Sequence, residues 1–175
     1  MDPNELTALW APWRVEYFQA RKTPDFFLKA ARAKNDRAHL VVARRAHTFL
    51  IMNRYPYTVG HMMAVPNRKV ADLAALAVEE KMELWELAEH AQKLLKKVVK
   101  AQGFNIGLNL GKCAGAGVAD HLHLHIVPRW DGDHNFMPVI AGRRMLSEAV
   151  EAIYDRLFRG ATGPKKTRAT SKPRA

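Results

Sequence analysis

The chain has 175 residues, of which 48% are hydrophobic and 26% charged, so its composition is that of one globular domain with a buried core. No apolar run reaches the roughly 18 residues of a membrane span. No apolar segment follows a basic start as it does in a signal peptide. The single cysteine, Cys113, excludes an intrachain disulfide and is typical of a reducing compartment. We therefore expect a cytoplasmic protein that is not attached to a membrane.

The net charge of +11 is concentrated at the two ends of the chain. Residues 1–45 carry a net +4 and residues 159–175 a net +6, whereas residues 46–158 carry only +1. The last segment has no large apolar residue to offset the entropy of ordering it. We predict a disordered basic tail over 159–175 and a single domain over 1–158. Nucleic-acid binding through this tail, weakened by salt, is one alternative function.

The first half of the chain predicts three strands followed by a long helix. The strands fall at residues 39–43, 48–52 and 60–66, with a turn around 53–56 before the third. Residues 79–100 combine an apolar stripe at helical spacing with glutamates in the first turn and lysines in the last. This pattern indicates an amphipathic helix with one buried face.

The second half predicts two more strands, at residues 104–110 and 121–128, separated by a glycine-rich loop at 111–117. Residues 145–158 predict a final amphipathic helix. One long helix between two groups of strands, with short connections, favours an α+β domain over a doubly wound parallel sheet. We expect a mainly antiparallel sheet of about five strands, packed with the long helix and the C-terminal helix.

The strongest chemical signal is the alternating segment His-Leu-His-Leu-His-Ile at residues 121–126. On a strand, its three imidazoles lie on one face and its three aliphatic side chains on the other. Three polar rings make a poor core face, and each would need hydrogen-bond partners. A histidine-rich exposed strand without function is the alternative interpretation.

Two kinds of chemistry fit the three histidines. They are either metal ligands, which predicts a zinc-dependent enzyme, or one of them is a nucleophile that attacks phosphorus and forms a covalent phosphoramidate. The glycine-rich loop at 111–117 runs directly into the histidine segment, and glycines allow backbone N–H groups to approach phosphate oxygens closely. The loop favours the second interpretation.

The segment at residues 121–126 resembles the signature of the histidine-triad (HIT) superfamily, in which histidines alternate with apolar residues. Residues 9–14 resemble the opening of many microbial members, and residues 53–66 resemble their ribose-binding turn and the strand after it. Residues 104–111 and 127–136 resemble the branch of diadenosine tetraphosphate phosphorylases. The order of these segments agrees with the family, so the resemblance implies its α+β fold.

The resemblance assigns roles to four histidines. His123 matches the nucleophile, which attacks the α-phosphate and holds a nucleoside monophosphate. His125 matches the residue that hydrogen-bonds the same phosphate, and His121 matches the residue that orients the nucleophile. His61 matches a fourth histidine of the active site.

The resemblance also implies five substrate-binding positions and no metal ligand. Asn53 matches the position that holds the ribose hydroxyls, and Asn109 a polar position near the phosphates. The loop backbone at Gly115, Gly117 and Val118 would surround the phosphate chain.

Two positions depart from the family pattern. Many relatives have Cys-x-x-Cys before the first strand, as half of a structural zinc site, where this chain has residues 25–28 with the sequence Asp-Phe-Phe-Leu. Because these side chains include no thiolate, we predict no structural zinc. Many relatives also have Gln or Ser where this chain has Gly117, so one side-chain contact to the substrate is missing.

The function implied is cleavage of dinucleoside polyphosphates, such as diadenosine tetraphosphate, by a nucleotidyl transferase or hydrolase through a nucleotidyl-histidine intermediate on His123. No cofactor is required, although a divalent cation bound with the substrate phosphates is compatible with this chemistry. A homodimer is expected, with the long helix in its interface. A HIT hydrolase of other nucleoside phosphates or phosphoramidates is an alternative, beside the nucleic-acid-binding protein.

Overall fold

The structure is a computed structural model that describes residues 25–133 and 149–162. The motif at residues 9–14, most of the predicted basic tail and the first residues of the last predicted helix lie outside these ranges. Among the described residues, no helix is both long enough and apolar enough to span a membrane.

Five strands form one antiparallel sheet in the order β1-β2-β3-β5-β4. The strands are β1 (Val41–Arg44), β2 (Thr48–Met52), β3 (Met62–Pro66), β4 (Gly103–Leu108) and β5 (Leu124–Arg129). The helices are α1 (Phe26–Arg32), α2 (Asp36–His39), α3 (Val78–Val99) and α4 (Val150–Thr162), with short 3-10 turns at Leu73–Ala75 and Lys112–Ala114. The predicted α+β architecture with an antiparallel five-stranded sheet is confirmed.

One face of the sheet is covered by the two longer helices. The apolar stripe of α3 packs against alternate residues of the central strands, and α4 adds its own apolar residues beside it. The main contributors are buried: Leu87, Ala91 and Leu95 from α3, Ile153 and Leu157 from α4, and Leu50, Met62, Leu124 and Ile126 from the strands. This layer is the main hydrophobic core.

Within residues 25–133 and 149–162, the opposite face is covered only in part. The intervening residues of β2 and β3, Phe49, Ile51, Met63 and Val65, form a second cluster beneath α1. Phe27 and Ala30 are the buried residues of α1 in this cluster. Helix α1 has seven residues and lies over this part of the sheet, and neither β4 nor β5 contributes a residue to the cluster.

Three predicted boundaries differ from the structure. The first strand begins later than residue 39, because Asn35 caps α2 by accepting a hydrogen bond from the Ala38 N–H and residues 36–39 are helical. Helix α3 ends at Val99, one residue before the predicted end at 100, and its C-cap Lys100 takes a left-handed conformation with φ 56°. The last helix runs to residue 162, beyond the predicted end at 158.

The strand that carries the histidines is also shorter than predicted. Pairing between β3 and β5 runs from Met62 opposite Ile126 to Ala64 opposite Leu124. Beyond this point Leu122 donates its N–H to the Val70 carbonyl rather than to β3. Residue 66 is a proline, which has no N–H to extend the ladder. Of the three histidines, only the last therefore lies within β5.

Candidate active site

The segment at residues 121–126 separates its side chains onto two faces, as the alternation predicted. Leu122, Leu124 and Ile126 belong to the core beneath α3. The three histidines are on the other face and are buried too, with His123 at 7% and His125 at 8% exposure. Their rings are close neighbours, since the His123 and His125 centroids are 4.8 Å apart. Burial forces each ring nitrogen to find a partner.

Backbone carbonyls fix the orientation of the first two rings. The Nε2 atom of His121 is 2.9 Å from the Pro66 carbonyl oxygen, and Nδ1 of His123 is 2.9 Å from the His121 carbonyl oxygen. A carbonyl only accepts, so each of these ring nitrogens carries a proton and donates it. The neutral ring of His123 then has its lone pair on Nε2. This is the tautomer that a nucleophilic imidazole needs.

Burial also keeps these rings neutral. Desolvation lowers the pKa of His123 below its usual value, and this effect is opposed by its hydrogen bond to the His121 carbonyl. Desolvation likewise lowers the pKa of His121, against the opposing effects of its bond to the Pro66 carbonyl and of nearby Asp120. Neutral imidazole is therefore the favoured form of both rings at pH 7.

A second chain of hydrogen bonds fixes the other two histidines. The Tyr57 N–H is 3.1 Å from Nδ1 of His61 and can only donate, so His61 carries its proton on Nε2. That Nε2 lies 3.0 Å from Nδ1 of His125 and donates to it. His125 accepts there, so its own proton is on Nε2. The result is a donor at Nε2 of His125, set by the Tyr57 backbone amide two hydrogen bonds away.

Two asparagines extend this chain at both ends. The Nδ2 atom of Asn53 is 3.4 Å from Nδ1 of His61, and the Asn109 amide is 3.5 Å from Nε2 of His125, at the outer limit of hydrogen bonding. The Asn109 atom at this distance is Nδ2, so an acceptor for the Nε2–H group of His125 requires the amide to be turned with its oxygen towards the ring. A continuous polar row thus crosses the sheet from the end of β2 to the end of β4. The sequence-predicted residues Asn53 and Asn109 both belong to it.

The glycine-rich loop is partly tied up by its own hydrogen bonds. The Gly115 N–H bonds to the Lys112 carbonyl at 3.0 Å, so it closes the 3-10 turn. Val118 packs against the cluster beneath α1 and its carbonyl accepts the His121 N–H. Gly117 lies between them in the same loop. The structure therefore attaches the predicted phosphate loop directly to the histidine segment, with the Gly115 amide engaged inside the loop.

No convergent metal site is formed by the residues in the described ranges. Within 25–133 and 149–162, no three His, Cys, Asp or Glu side chains are arranged to hold an ion. Nε2 of His121 and Nδ1 of His123 meet backbone carbonyls, and Nδ1 of His125 meets the His61 ring. Asp25 and Leu28, at the positions where relatives have cysteines, lie at the start of α1.

Sequence reasoning missed the residues that pack against the histidines. The Phe27 ring lies 5.1 Å from His123 and 5.3 Å from His121, and the Tyr57 ring stacks on His61 at 4.7 Å with an interplanar angle of 28°. Lys69 bonds to both Asp25 and Asp120, and so ties the start of α1 to the histidine segment. For Tyr57, its place in the turn between two predicted strands was the available signal.

The fold and the site together define a class of protein in which buried, hydrogen-bonded histidines lie side by side on one face of an antiparallel sheet. The family model described as HIT domain matches residues 34–132. The AP-4-A phosphorylase of Mycobacterium tuberculosis is 38% identical over 154 residues, covering 83% of this chain and 79% of the relative. This chain belongs to the HIT family, and the family resemblance seen in the sequence is confirmed.

Other similarities are more partial. The asymmetrical bis(5'-nucleosyl)-tetraphosphatase of Schizosaccharomyces pombe is 35% identical over 82 residues, covering 47% of this chain and 44% of the relative. Among solved structures, a hypothetical histidine triad nucleotide-binding protein from Sulfolobus tokodaii has a TM-score of 0.61 at 23% identity, covering 78% of this chain and 91% of that one. The Zn-bound histidine triad family protein from Mycobacterium smegmatis has a TM-score of 0.59 at 24% identity, covering 70% of this chain and 84% of that one. At these identities, the structural similarities concern the fold alone.

Proposed function

We propose that this protein is an enzyme that cleaves dinucleoside polyphosphates by nucleotidyl transfer, in the manner named for its AP-4-A phosphorylase relative. The similarity to that relative extends over most of both chains, whereas the tetraphosphatase similarity covers less than half of either. This difference supports inorganic phosphate, rather than water, as the acceptor. Diadenosine tetraphosphate is the substrate to test first.

The proposed reaction has two displacements at one phosphorus. The Nε2 lone pair of His123 forms a bond to the α-phosphorus, and the bond from that phosphorus to the bridging oxygen breaks, so ATP departs and adenylyl-histidine remains. An oxygen of inorganic phosphate then attacks the same phosphorus. The P–N electron pair returns to His123, and ADP leaves.

The neighbouring residues take supporting roles in this proposal. The Nε2 proton of His125 donates to a phosphate oxygen, and His61 keeps that proton in place through Nδ1 of His125. His121 supplies the carbonyl that holds the His123 proton. Asn53 binds the ribose hydroxyls and Asn109 the phosphates.

The proposal also covers the loop residues, the metal requirement and the cellular compartment. The backbone at Gly117 and Val118 lies along the phosphate chain, and Gly115 shapes the turn before them. The site needs no resident metal, and a divalent cation enters only with the substrate phosphates. The lone cysteine is exposed and unpaired in a disulfide, in keeping with the cytoplasm.

The observation that carries the proposal is the hydrogen bond from Nδ1 of His123 to the His121 carbonyl, because it leaves Nε2 unprotonated. To test it, the protein is incubated with diadenosine tetraphosphate, with and without inorganic phosphate, and the nucleotides are separated. We expect ADP and ATP in equal amounts only when phosphate is present. AMP with ATP, or two ADP, would instead identify a hydrolase.

Two variants test the role of the nucleophile. His123→Ala should form neither products nor labelled protein from radioactive substrate. His39→Ala is the matched control, because this histidine lies on α2, outside the site, and should leave turnover unchanged. Absence of any nucleotide turnover by the unaltered protein would refute the enzymatic function.

We also propose a homodimer in which α3 contributes to the interface. Val78, Met82 and Trp85 recur on one side of this helix and are 58–65% exposed, although all three are large and apolar. A two-fold axis would place this stripe against its own copy. Light scattering should show a dimer, and Trp85→Glu should shift it towards the monomer. A monomer at micromolar concentration in the unaltered protein would refute the proposal.

A further inference from the structure

A cavity of about 430 Å³ lies over β4 and β5 on the open face of the sheet, directly beside His125. Its walls include Asn105 and Gly107 from β4, Arg129 from β5 and Thr58 from the loop between β2 and β3. None of these four residues has a part in the proposed displacement. The cavity is therefore a candidate for binding a part of the substrate that the reacting histidines do not hold.

The position of the cavity relates it to the nucleophile. His123, His125 and Arg129 share one face of the chain, and the cavity begins at His125 and extends towards Arg129, away from His123. In a displacement at phosphorus, the leaving atom lies opposite the attacking atom. A phosphate bound between His123 and His125 would therefore direct its leaving group into the cavity.

We propose that this cavity is the subsite for the departing nucleoside polyphosphate. This proposal rests on the proposed function. It goes further because a cavity in this place would discriminate between substrates by the size and chemistry of their leaving group. The polar row supports this direction, since Asn53, the proposed ribose ligand, and Asn109, which lines the cavity, lie at its opposite ends. The retained nucleoside and the departing one would then be on opposite sides of His125.

The walls of the cavity suit a nucleotide. Arg129 is held by both carboxylate oxygens of Asp133 and donates to the Asn105 side-chain oxygen at 3.2 Å, so its guanidinium is fixed in place. The Asn105 amide and the Thr58 hydroxyl offer donors and acceptors of the kind that pair with ribose hydroxyls or base edges. The volume lies in the usual range of small-molecule sites, roughly 300–1,000 Å³, and would remain mostly empty beside a leaving group such as ammonia.

Filling the cavity tests the proposal. Gly107 is opposite His125 in the sheet and lines the cavity, and a Cβ built there meets no atom within 4 Å, so the backbone accepts a side chain that Gly107→Val extends into the cavity. The matched control is Gly103→Val, on the same strand and the same face. A Cβ there meets only the Arg129 Cβ at 3.7 Å, which is an ordinary contact, and Gly103 is not part of the cavity wall.

Two substrates with the same adenylyl group and different leaving groups provide the readout. For Gly107→Val, we expect kcat/KM for diadenosine tetraphosphate to fall by about 20-fold or more, because added volume in a fitted pocket excludes its ligand. For adenosine 5'-phosphoramidate, whose leaving group is ammonia, we expect a change of less than about threefold. Equal losses for both substrates, or no loss for either, would overturn the proposal.

A labelling experiment separates this proposal from the proposed function, because it needs no turnover. Asn105→Cys is introduced together with Cys113→Ser and His123→Gln, so that the thiol in the cavity is the only one in the chain. Diadenosine tetraphosphate should slow its modification by a thiol reagent about tenfold or more, and AMP less than about twofold. Glu89→Cys in the same background, on the exposed side of α3, should react at an unchanged rate with either ligand.

The outcomes distinguish the two hypotheses. Protection of the cavity thiol by diadenosine tetraphosphate, together with no turnover by the unaltered protein, would support the subsite and refute the proposed reaction. Turnover of diadenosine tetraphosphate without protection of the cavity thiol would refute the subsite and leave the reaction in place. Equal protection by AMP and by the dinucleotide would also refute the subsite, because AMP lacks the departing group.

Discussion

The two faces of the segment at residues 121–126 share one backbone but differ in what surrounds them. On one face Leu124 and Ile126 are packed under α3 in an apolar layer that needs no specific partner. On the other face His123 and His125 are also buried, but each of their fixed ring nitrogens is paired with a specific carbonyl or ring. Burial therefore supports stability on one face and a defined protonation state on the other.

The largest expected effect separates activity from stability on the histidine face. His123→Gln removes the Nε2 nucleophile while keeping a polar side chain of similar length, so we expect turnover of diadenosine tetraphosphate to fall about 1,000-fold or more. The free energy of unfolding, measured by urea denaturation, should change by less than about 1.5 kcal/mol. If His123→Gln lowered the free energy of unfolding as severely as it lowers turnover, the histidine face could not be assigned to activity and the core face to stability.

The opposite result is expected on the core face. Ile126 is fully buried, so Ile126→Ala should lower the free energy of unfolding by about 3 kcal/mol, within the 2–5 kcal/mol seen for such truncations. Val127→Ala, the matched control on the other face, is only partly buried and should lower it by about 1 kcal/mol or less. Urea denaturation checks both variants. Similar values for the two would contradict the assignment of Ile126 to the core.

The alternation of the faces could be predicted from sequence because it depends only on the period of a strand. The sequence did not predict where β5 begins, because that depends on Pro66 of β3 and on the Val70 carbonyl, which are more than 50 residues away along the chain. The pairing of His61 with His125 likewise follows from β3 and β5 being neighbours in the sheet. The sequence indicated His61 as a site residue only through the family resemblance.

Phe27 and Tyr57 show a further limit of sequence reasoning. Both rings contact histidines of the site, yet neither belongs to the histidine motif. The stretch around Phe27 was compared with a zinc motif, and its helix α1 was not predicted at all. A short helix gains its stability from tertiary packing rather than from local propensity, so a seven-residue pattern carries little signal.

A smaller effect is expected at Tyr57, where the aromatic ring and not the backbone is changed. Its ring stacks on His61, a contact worth about 0.5–1.5 kcal/mol. Tyr57→Leu should therefore lower kcat about three- to tenfold by loosening the His61–His125 pair, whereas Tyr57→Phe should retain more than about half of the activity. Steady-state kinetics of both variants checks this. If Tyr57 had only a structural role, KM and thermal stability would change, but kcat would not be lower for Tyr57→Leu than for Tyr57→Phe.

The lowered pKa values of His121 and His123 predict how the site responds to acid. In the unfolded chain these histidines take up protons at about pH 6.5, whereas in the folded protein they do so only at lower pH. Between these values the unfolded state binds more protons, so the free energy of unfolding should fall as the pH falls below about 6.5. Urea denaturation at several pH values measures this slope, and His123→Gln should make it shallower.

Activity should follow the same direction. Because only neutral His123 is a nucleophile, kcat/KM for diadenosine tetraphosphate should stay constant down to about pH 6.5 and decline below it. An acid limb above pH 6.5 would contradict the depressed pKa of this residue.

The smallest effect concerns His90, which shows what happens when a buried ring lacks the partners that the site provides. Its Nε2 atom on α3 is buried and has no hydrogen-bond partner among the described residues. Desolvation lowers the pKa of this histidine, with Arg45 and Lys93 adding to the effect. His90→Leu should raise the free energy of unfolding by about 1 kcal/mol, because an unsatisfied buried nitrogen is replaced by an apolar group of similar size. His90→Gln, which keeps a polar side chain, should not be stabilising. Urea denaturation checks both variants. If His90→Leu were less stable than His90→Gln, this reasoning would be contradicted, because the polar group at position 90 would then be making a stabilising hydrogen bond, as the active-site histidines do.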